Sequence, residues 1–212
     1  MQDGKIYTKE DFIRLFEVSP ECYSKLCTYH DLLVKWQRAI NLVSPSTLPQ
    51  AWHRHFIDSA QITAFLPQDA KIYADLGCGG GFPGLVVAMM RPDLTVHLVE
   101  SDERKGQFMR TVSRETNLRN VIIHTRRIED ITPAIQPDFI TARALASLDK
   151  LLDMVWPWAE QNPDLTLTFM KGERAQEELN AAAARYDFAL EQRPSITDDR
   201  ACILRITALK RR

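Results

Sequence analysis

The decapeptide Asp75-Leu76-Gly77-Cys78-Gly79-Gly80-Gly81-Phe82-Pro83-Gly84 constrains this 212-residue chain more than any other segment, because it holds five of its eight glycines. It follows a short apolar run, Ile72-Tyr73-Ala74, and Pro83 opens the helical pattern that reaches Met90. Strand, glycine turn and helix in that order form the context in which such a turn carries meaning. Glycines at 77, 79, 80 and 81 remove Cβ atoms where backbone must approach a ligand or take a positive φ. A purely structural turn rarely needs five glycines, so a ligand is expected here.

Downstream, strands alternate with helices. Leu94–Val99, Val121–His124, Asp138–Thr141 and Leu165–Met170 read as strands, with helices over Glu103–Thr116 and Glu173–Tyr186. Ser147 caps a further helix carrying Leu148, Leu151, Leu152, Val155 and Trp156, in which Pro157 is a candidate kink. Phe188–Leu190 and Cys202–Ala208 are the last strands, close enough to pair antiparallel. The alternation predicts an α/β fold, with a mainly parallel sheet covered on both faces. Residues 1–67 read differently. Thr8 with Asp11 resembles a capping box, and Ser19-Pro20-Glu21 is a helix start. Behind it Tyr23, Leu26, His30, Leu33 and Gln37 recur at helical spacing. Asn41 to Pro49 reads as a loop, with further helical turns from about Leu48 to Leu66. The expected organisation is a helical N-terminal extension, 1–67, packed on a Rossmann-like core, 68–212.

Two ligands compete for the glycine turn. Gly79 to Gly84 formally matches the dinucleotide fingerprint, in which a diphosphate rests on a helix N-terminus. Asp75, two residues before the first glycine, would repel a diphosphate. It suits instead a cationic ligand such as the sulfonium and ammonium of S-adenosylmethionine. Glu100 ends the next strand, placed to accept both hydroxyls of an adenosine ribose, a contact that either cofactor would use. Asp75 tips the choice to S-adenosylmethionine. Arg127-Ile128-Glu129-Asp130 follows the third strand, where Ile128 could pack on an adenine ring and Glu129 could meet its exocyclic amine.

The fourth strand ends Thr141-Ala142-Arg143-Ala144. No Asn- or Asp-Pro-Pro-aromatic tetrapeptide is present to grip an exocyclic amine, and no Pro-Cys nucleophile to attack a pyrimidine. An acceptor that is already nucleophilic remains, and guanine N7, with its free lone pair, fits. Methyl transfer to it needs chiefly in-line alignment. Arg143 could donate to guanine O6, to a phosphate or to the cofactor carboxylate.

Charge bounds the partners. With 27 Lys plus Arg against 28 Asp plus Glu, the chain is formally −1, which excludes a blanket polyanion binder. Between Glu100 and Arg127, however, seven basic residues face four acidic ones, and the chain ends Lys210-Arg211-Arg212. Four cysteines form no C-x-x-C pair and complete no metal-ligand spacing with the five histidines, so no metal is expected. No apolar run reaches the roughly 18 residues of a membrane span, and the polar N-terminus does not read as a signal peptide. A cytoplasmic protein is expected.

Several motifs occur together in order: the glycine decapeptide, Val99-Glu100-Ser101 with Arg104-Lys105, Arg127-Ile128-Glu129, Ala142-Arg143-Ala144-Leu145-Ala146-Ser147-Leu148 and Met170-Lys171-Gly172. Upstream lie Trp36, Asn41-Leu42-Val43-Ser44 and Arg54-His55-Phe56-Ile57-Asp58-Ser59. Together they resemble the bacterial glucose-inhibited division protein B family, the ribosomal RNA small-subunit methyltransferase G enzymes, from about residue 30 to 206. The resemblance implies a class I S-adenosylmethionine-dependent methyltransferase fold. It also implies methylation of a guanine N7 in 16S ribosomal RNA, free or in the small subunit, with a monomer expected. Cofactor contacts would come from Asp75, Gly77, Gly79, Gly81, Phe82, Glu100, Ile128, Glu129 and Arg143, with Arg143 also at the reaction centre. Arg54, His55, Lys171 and Arg200 would be candidates for RNA or the reaction centre. Glu100 stands where the family commonly has Asp, which lengthens the reach to the ribose. An NAD(P)-dependent oxidoreductase and a non-catalytic RNA-binding or ribosome-assembly module on the same fold are the competing readings.

Overall fold

In the computed structural model, which describes residues 5–212 apart from the side chain of Pro133, the chain begins with two capped helices. The first four residues of the polar N-terminal stretch lie outside the described residues. In α1 (Lys9–Phe16) the Thr8 hydroxyl accepts the Asp11 N–H while the Asp11 carboxylate accepts the Thr8 N–H, the capping box expected. In α2 (Pro20–Trp36) the Ser19 hydroxyl accepts the Cys22 N–H and Pro20 takes the first helical position. The segment that follows is a chain of short turns. A 3₁₀ turn (Pro45–Gln50) leads into a wide π turn (Trp52–Ile57), one α turn (Asp58–Ala60) and a second 3₁₀ turn (Gln61–Phe65). Such π turns often mark functional positions.

Among the described residues seven strands form one sheet in the order β3-β2-β1-β4-β5-β7-β6. They are β1 (Ile72–Leu76), β2 (Thr95–Val99), β3 (Val121–His124), β4 (Phe139–Arg143), β5 (Thr166–Lys171), β6 (Tyr186–Pro194) and β7 (Cys202–Arg211). The first five are mutually parallel, and β7 runs antiparallel between β5 and β6. Helices α3 (Gly84–Met90), α4 (Glu103–Glu115), α5 (Leu148–Ala159) and α6 (Ala175–Ala183) connect them. Because strand side chains alternate, the sheet feeds two cores. Tyr73, Leu98 and Phe139 pack with Tyr29 of α2, Leu85 of α3 and Phe108 of α4. Ala74, Leu76, Ile140 and Leu167 pack with Leu152 of α5 and Leu179 of α6. Each such fully buried Leu, Ile or Phe contributes roughly 1.5–3 kcal/mol relative to exposure. The helical segment before residue 67 thus shares a core with the sheet. Strand order reverses between β1 and β4, so a crevice opens above their carboxyl ends.

The last third departs from the pattern read in the sequence. The helix predicted to Tyr186 stops at Ala183, and Tyr186 opens β6 with its ring buried and its hydroxyl donating to Asp153. Most of β6 is exposed, so it has no apolar period to announce it. Helix α5 runs through Pro157 to Ala159. Ser147 holds its cap position, but its hydroxyl donates to Asp149, and Glu178 Oε2 of α6 accepts the Leu148 N–H at 2.8 Å instead.

Candidate active site

The glycine turn is held from three sides. Gly77, Gly79 and Gly81 take φ of +64°, +57° and +93°, which L side chains rarely adopt. A Cβ on Gly77 would come within 2.6 Å of Leu145 Cδ1, and one on Gly81 within 2.4 Å of Leu85 Cδ1. Tyr29 donates its buried hydroxyl to the Gly80 carbonyl at 2.6 Å and stacks on Phe82, ring centroids 5.0 Å apart. Gln37, just past α2, accepts the N–H groups of Leu42 and Val43 and donates to the Val43 carbonyl. This clamp presses Leu42 against Gly80, where a Cβ would meet the Leu42 carbonyl oxygen at 3.3 Å.

Asp75, expected to face a cation, is fully buried and is not among the residues lining the crevice. It shares the strand face of Tyr73, the face covered by α2 and α3. One oxygen accepts the Gly84 N–H at 2.7 Å, at the start of α3, and the other accepts the Thr141 hydroxyl at 2.8 Å. Thr141 in turn accepts from the buried Tyr73 hydroxyl at 2.6 Å, since its own proton is committed to Asp75. Burial outweighs these two donors and pushes the Asp75 carboxyl up to about 7. The residue therefore ties glycine turn to sheet.

The turn's amides decide which ligand it suits. Gly77 and Cys78 donate to the Val99 carbonyl, Gly79 to Glu100, Gly81 and Phe82 to the Cys78 carbonyl, and Gly84 to Asp75. With these six committed to protein acceptors, and an acid already at the helix start, the fan of free N–H groups that a diphosphate requires is missing. Glu100 has one oxygen on the Gly79 N–H and the other on the Asp102 N–H, both at 2.9 Å. Each oxygen keeps acceptor capacity for a hydroxyl.

Above this turn opens a cavity of about 680 Å³, lined by Gly77, Gly79, Phe82, Glu100, Ile128, Glu129, Arg54, His55 and Arg143 among others. Nine sequence candidates thus converge. Gly81 does not line it; its positive φ serves the packing of Leu85 and Tyr29. A second cavity of about 450 Å³ adjoins it, and the two share Asp58, Arg143, Ala144 and Leu145. Lys171 lines this second space but is buried, its Nζ 2.7 Å from the Ala146 carbonyl and 2.8 Å from Glu178 Oε2. Those contacts use two of the three donors of its ammonium group. Arg200 lines neither cavity; it is exposed beside Asp198 at 3.7 Å.

Arg143 stands where the cavities meet. Its guanidinium donates to Asp58 Oδ2 and the Arg54 carbonyl, both at 3.3 Å, and to His55 Nδ1 at 3.2 Å, and lies 5.2 Å above the Phe82 ring. A guanidinium only donates, so Nδ1 of His55 is unprotonated and Nε2–H donates to Thr47 Oγ1 at 2.8 Å. Thr47 passes its own proton to the Ser44 carbonyl. Burial, then Arg143 and Arg54, hold His55 down at about 3, so the ring is neutral with both nitrogens engaged. Asp58 is fixed on its other oxygen by Thr197 at 2.7 Å and Gln61 at 2.9 Å. Ala144, directly after Arg143, adopts φ +53°, a left-handed conformation uncommon for a residue with a Cβ. Sequence reasoning missed Tyr29, Gln37, Thr47, Asp58 and Thr197. Only Asp58 left a signal, four residues after Arg54 within one motif.

This geometry has relatives. A family model described as rRNA small subunit methyltransferase G matches residues 22–201. A protein of Parvibaculum lavamentivorans named Ribosomal RNA small subunit methyltransferase G is 42% identical over 97% of this chain and 91% of its own length. One of the same name from a Jannaschia species is 45% identical over 89% of each. Among solved structures, M. jannaschii TYW2 in complex with AdoMet aligns at TM-score 0.52 and 15% identity, over 75% of this chain and 77% of that one. The ribosomal protein L11 methylase of Lactobacillus delbrueckii aligns at TM-score 0.54 and 16% identity, over 72% and 76%. At those identities the structures speak for the fold, a class I methyltransferase sheet. The sequence relatives, alike along nearly the whole length, go further: this chain belongs to the rRNA small subunit methyltransferase G family.

Proposed function

We propose that this chain methylates N7 of a guanosine in 16S ribosomal RNA, using S-adenosylmethionine. One observation carries the choice of cofactor: the glycine turn spends its amides on the protein and keeps an acid at the start of α3, while Glu100 retains two acceptor oxygens. That donor set suits an adenosine carrying a cationic sulfonium and not a dinucleotide diphosphate. Gly77 and Gly79 keep the floor free of side chains, Glu100 holds the ribose hydroxyls, and Ile128 with Glu129 receives the adenine. Asp75 serves the cofactor only by holding the turn.

When bound, S-adenosylmethionine supplies an electrophilic methyl group: the N7 lone pair forms the new C–N bond, the S–C bond pair stays on sulfur, and the purine is left cationic. No proton leaves N7, so no general base is required. The residues at the junction agree with this. His55 is neutral with both nitrogens engaged, and Arg143 is balanced by Asp58 at 3.3 Å. An uncompensated cation there would oppose both the sulfonium and the purine cation. Arg143 instead orients the acceptor by donating to its O6 or to the adjoining phosphate. Arg54, half exposed and paired with Asp198, reaches RNA at the rim. The chain acts as a monomer in the bacterial cytoplasm; among the described residues no helix is long and apolar enough to cross a membrane.

Cleavage at 7-methylguanine in 16S RNA from cells with and without the gene tests the reaction, and an unchanged cleavage pattern defeats it. Calorimetric titration tests the cofactor. S-adenosylhomocysteine is expected to bind and NADH is not; the reverse result restores the oxidoreductase.

A further inference from the structure

The second cavity lies on the far side of Arg143 from the glycine turn, over the carboxyl ends of β4 and β5 and the start of β7. Its volume of about 450 Å³ falls within the roughly 300–1,000 Å³ of small-ligand clefts. Two carboxylates line it: Asp58, at the border with the first cavity, is taken up by Arg143, Thr197 and Gln61, whereas Glu178 stands deeper, beside Lys171. Glu178 has a side chain 19% exposed, and its Oε2 takes the Leu148 N–H and Lys171 Nζ, both at 2.8 Å. Its Oε1 accepts no hydrogen bond from the described residues. Two donors thus aim the carboxyl group and leave one oxygen for something else.

We propose that Glu178 reads the Watson–Crick edge of the target guanine, accepting from its N1–H and 2-amino group. The proposal rests on the N7-methylation reading, which requires N7 to face the first cavity across Arg143 and Ala144. A purine so placed has O6 beside N7, within the reach of Arg143, and turns N1 and the 2-amino group away into the second cavity. Glu178 lines that cavity and not the first. A carboxylate only accepts, and guanine presents two donors there. Adenine would present the N1 lone pair instead, so the same oxygen rejects it. The contact also strengthens during reaction, because methylation at N7 leaves the purine positively charged and its N1–H a better donor.

Glu178→Gln supplies the test, because its orientation is dictated by its neighbours. The amide oxygen has to take the Leu148 N–H and Lys171, which turns the NH₂ group toward the purine and sets donor against donor. RNA carrying either guanosine or inosine at the methylated position is the probe, since inosine lacks only the 2-amino group. Binding is measured with S-adenosylhomocysteine present, and kcat/KM with S-adenosylmethionine. The wild-type protein is expected to prefer guanosine over inosine about tenfold or more in both measurements. In Glu178→Gln the preference shrinks to within about threefold, while S-adenosylhomocysteine affinity is kept. A wild-type protein that treats both RNAs alike overturns the proposal whether or not the variant folds. So does a variant that loses the same factor on both, which would make Glu178 a helix cap alone. Failure of the wild-type protein to form 7-methylguanine on the guanosine RNA is a different outcome, and strikes the parent reading instead.

Discussion

Replacing Asp75 with asparagine separates two roles for an acid at the end of the first strand. The wild-type carboxyl is fully buried, raised to about 7, and accepts from Gly84 N–H and the Thr141 hydroxyl. Its folded value lies above the unfolded value of about 3.9, so between those limits the folded protein binds more protons. Stability from this group is therefore greatest at acid pH and is lost as pH rises toward 7. Integrating the linkage, the preference of this acid to ionise in the unfolded chain lowers folded stability by about 1.5 kcal/mol at pH 5 and about 4 kcal/mol at pH 8, relative to strongly acid pH. Asparagine has no such dependence. It carries a fixed penalty: its oxygen must take Gly84 N–H, its NH₂ faces Thr141, and one hydroxyl proton of the Tyr73–Thr141 pair is orphaned, a loss of about 1–3 kcal/mol.

Urea unfolding of both proteins at pH 5 and pH 8 reads the difference directly. Wild type minus variant isolates Asp75, because His55 titrates in both. Relative to wild type, the variant is expected to gain about 3 kcal/mol between pH 5 and pH 8. A difference that does not move with pH means that Asp75 ionises as an exposed acid does, and the argument from burial fails. Cofactor affinity gives the second readout. If the carboxylate only ties the turn to the sheet, S-adenosylhomocysteine binding falls by no more than a few-fold. A direct contact with the sulfonium would cost far more.

His55→Gln reports the opposite linkage. His55 is held at about 3, below its unfolded value, so its contribution is complete above about 6.5 and is lost as pH falls. The variant should lack about 2 kcal/mol of the acid-side loss that wild type shows by pH 5, and equal slopes would contradict the buried neutral ring. Gly77→Ala forces a side chain into a left-handed position, at about 1–2 kcal/mol, and drives Leu145 from the cavity wall. S-adenosylhomocysteine binding by calorimetry should weaken at least tenfold, and unchanged binding would show that the turn is not the cofactor floor.

What could be read from the chain was local. Strand–turn–helix around Asp75–Gly84, the alternation after it and the caps at Thr8 and Ser19 are written in neighbouring residues, and the structure contains them. The place of Asp75 was less legible: it follows Tyr73 by two residues and so shares its face, but both faces of β1 are buried, and only the packing of α2 and α3 decides which groups meet the carboxylate. Other contacts were out of reach for a different reason. Gly80 is glycine because Leu42, carried by the Gln37 clamp, presses on it, and Arg143 is aimed by Asp58, which Thr197 fixes from the far end of the chain. Such partners meet only when the helical segment closes over the sheet. The surroundings of Lys171 were equally out of reach, since Glu178 and the Ala146 carbonyl that hold it come from other elements.

The distinction between spent and unspent charge bears on how a chain of net charge −1 holds RNA. The basic C-terminus does not contribute, because β7 runs antiparallel to β5 and carries Lys210 to the end of the sheet away from the crevice, where Arg211 pairs with Asp153 and Arg212 with Asp187. Within the basic stretch, Arg110 pairs with Glu103 and Arg114 with Glu115. Five residues of the stretch have no carboxylate partner among the described residues: Arg119 precedes β3, at the end of the sheet away from the crevice, whereas Arg104, Lys105, Arg126 and Arg127 stand at the carboxyl ends of the strands, and the last three line the large cavity. Paired arginines release few counterions on binding, so the salt dependence should count the free ones. Four phosphate contacts predict log K against log[salt] falling with a slope of about −3 to −4. In Arg126→Ala/Arg127→Ala the slope should shrink by about 1.5 to 2. A wild-type slope near −10, or a double variant with an unchanged slope, would place the RNA on another face of the molecule.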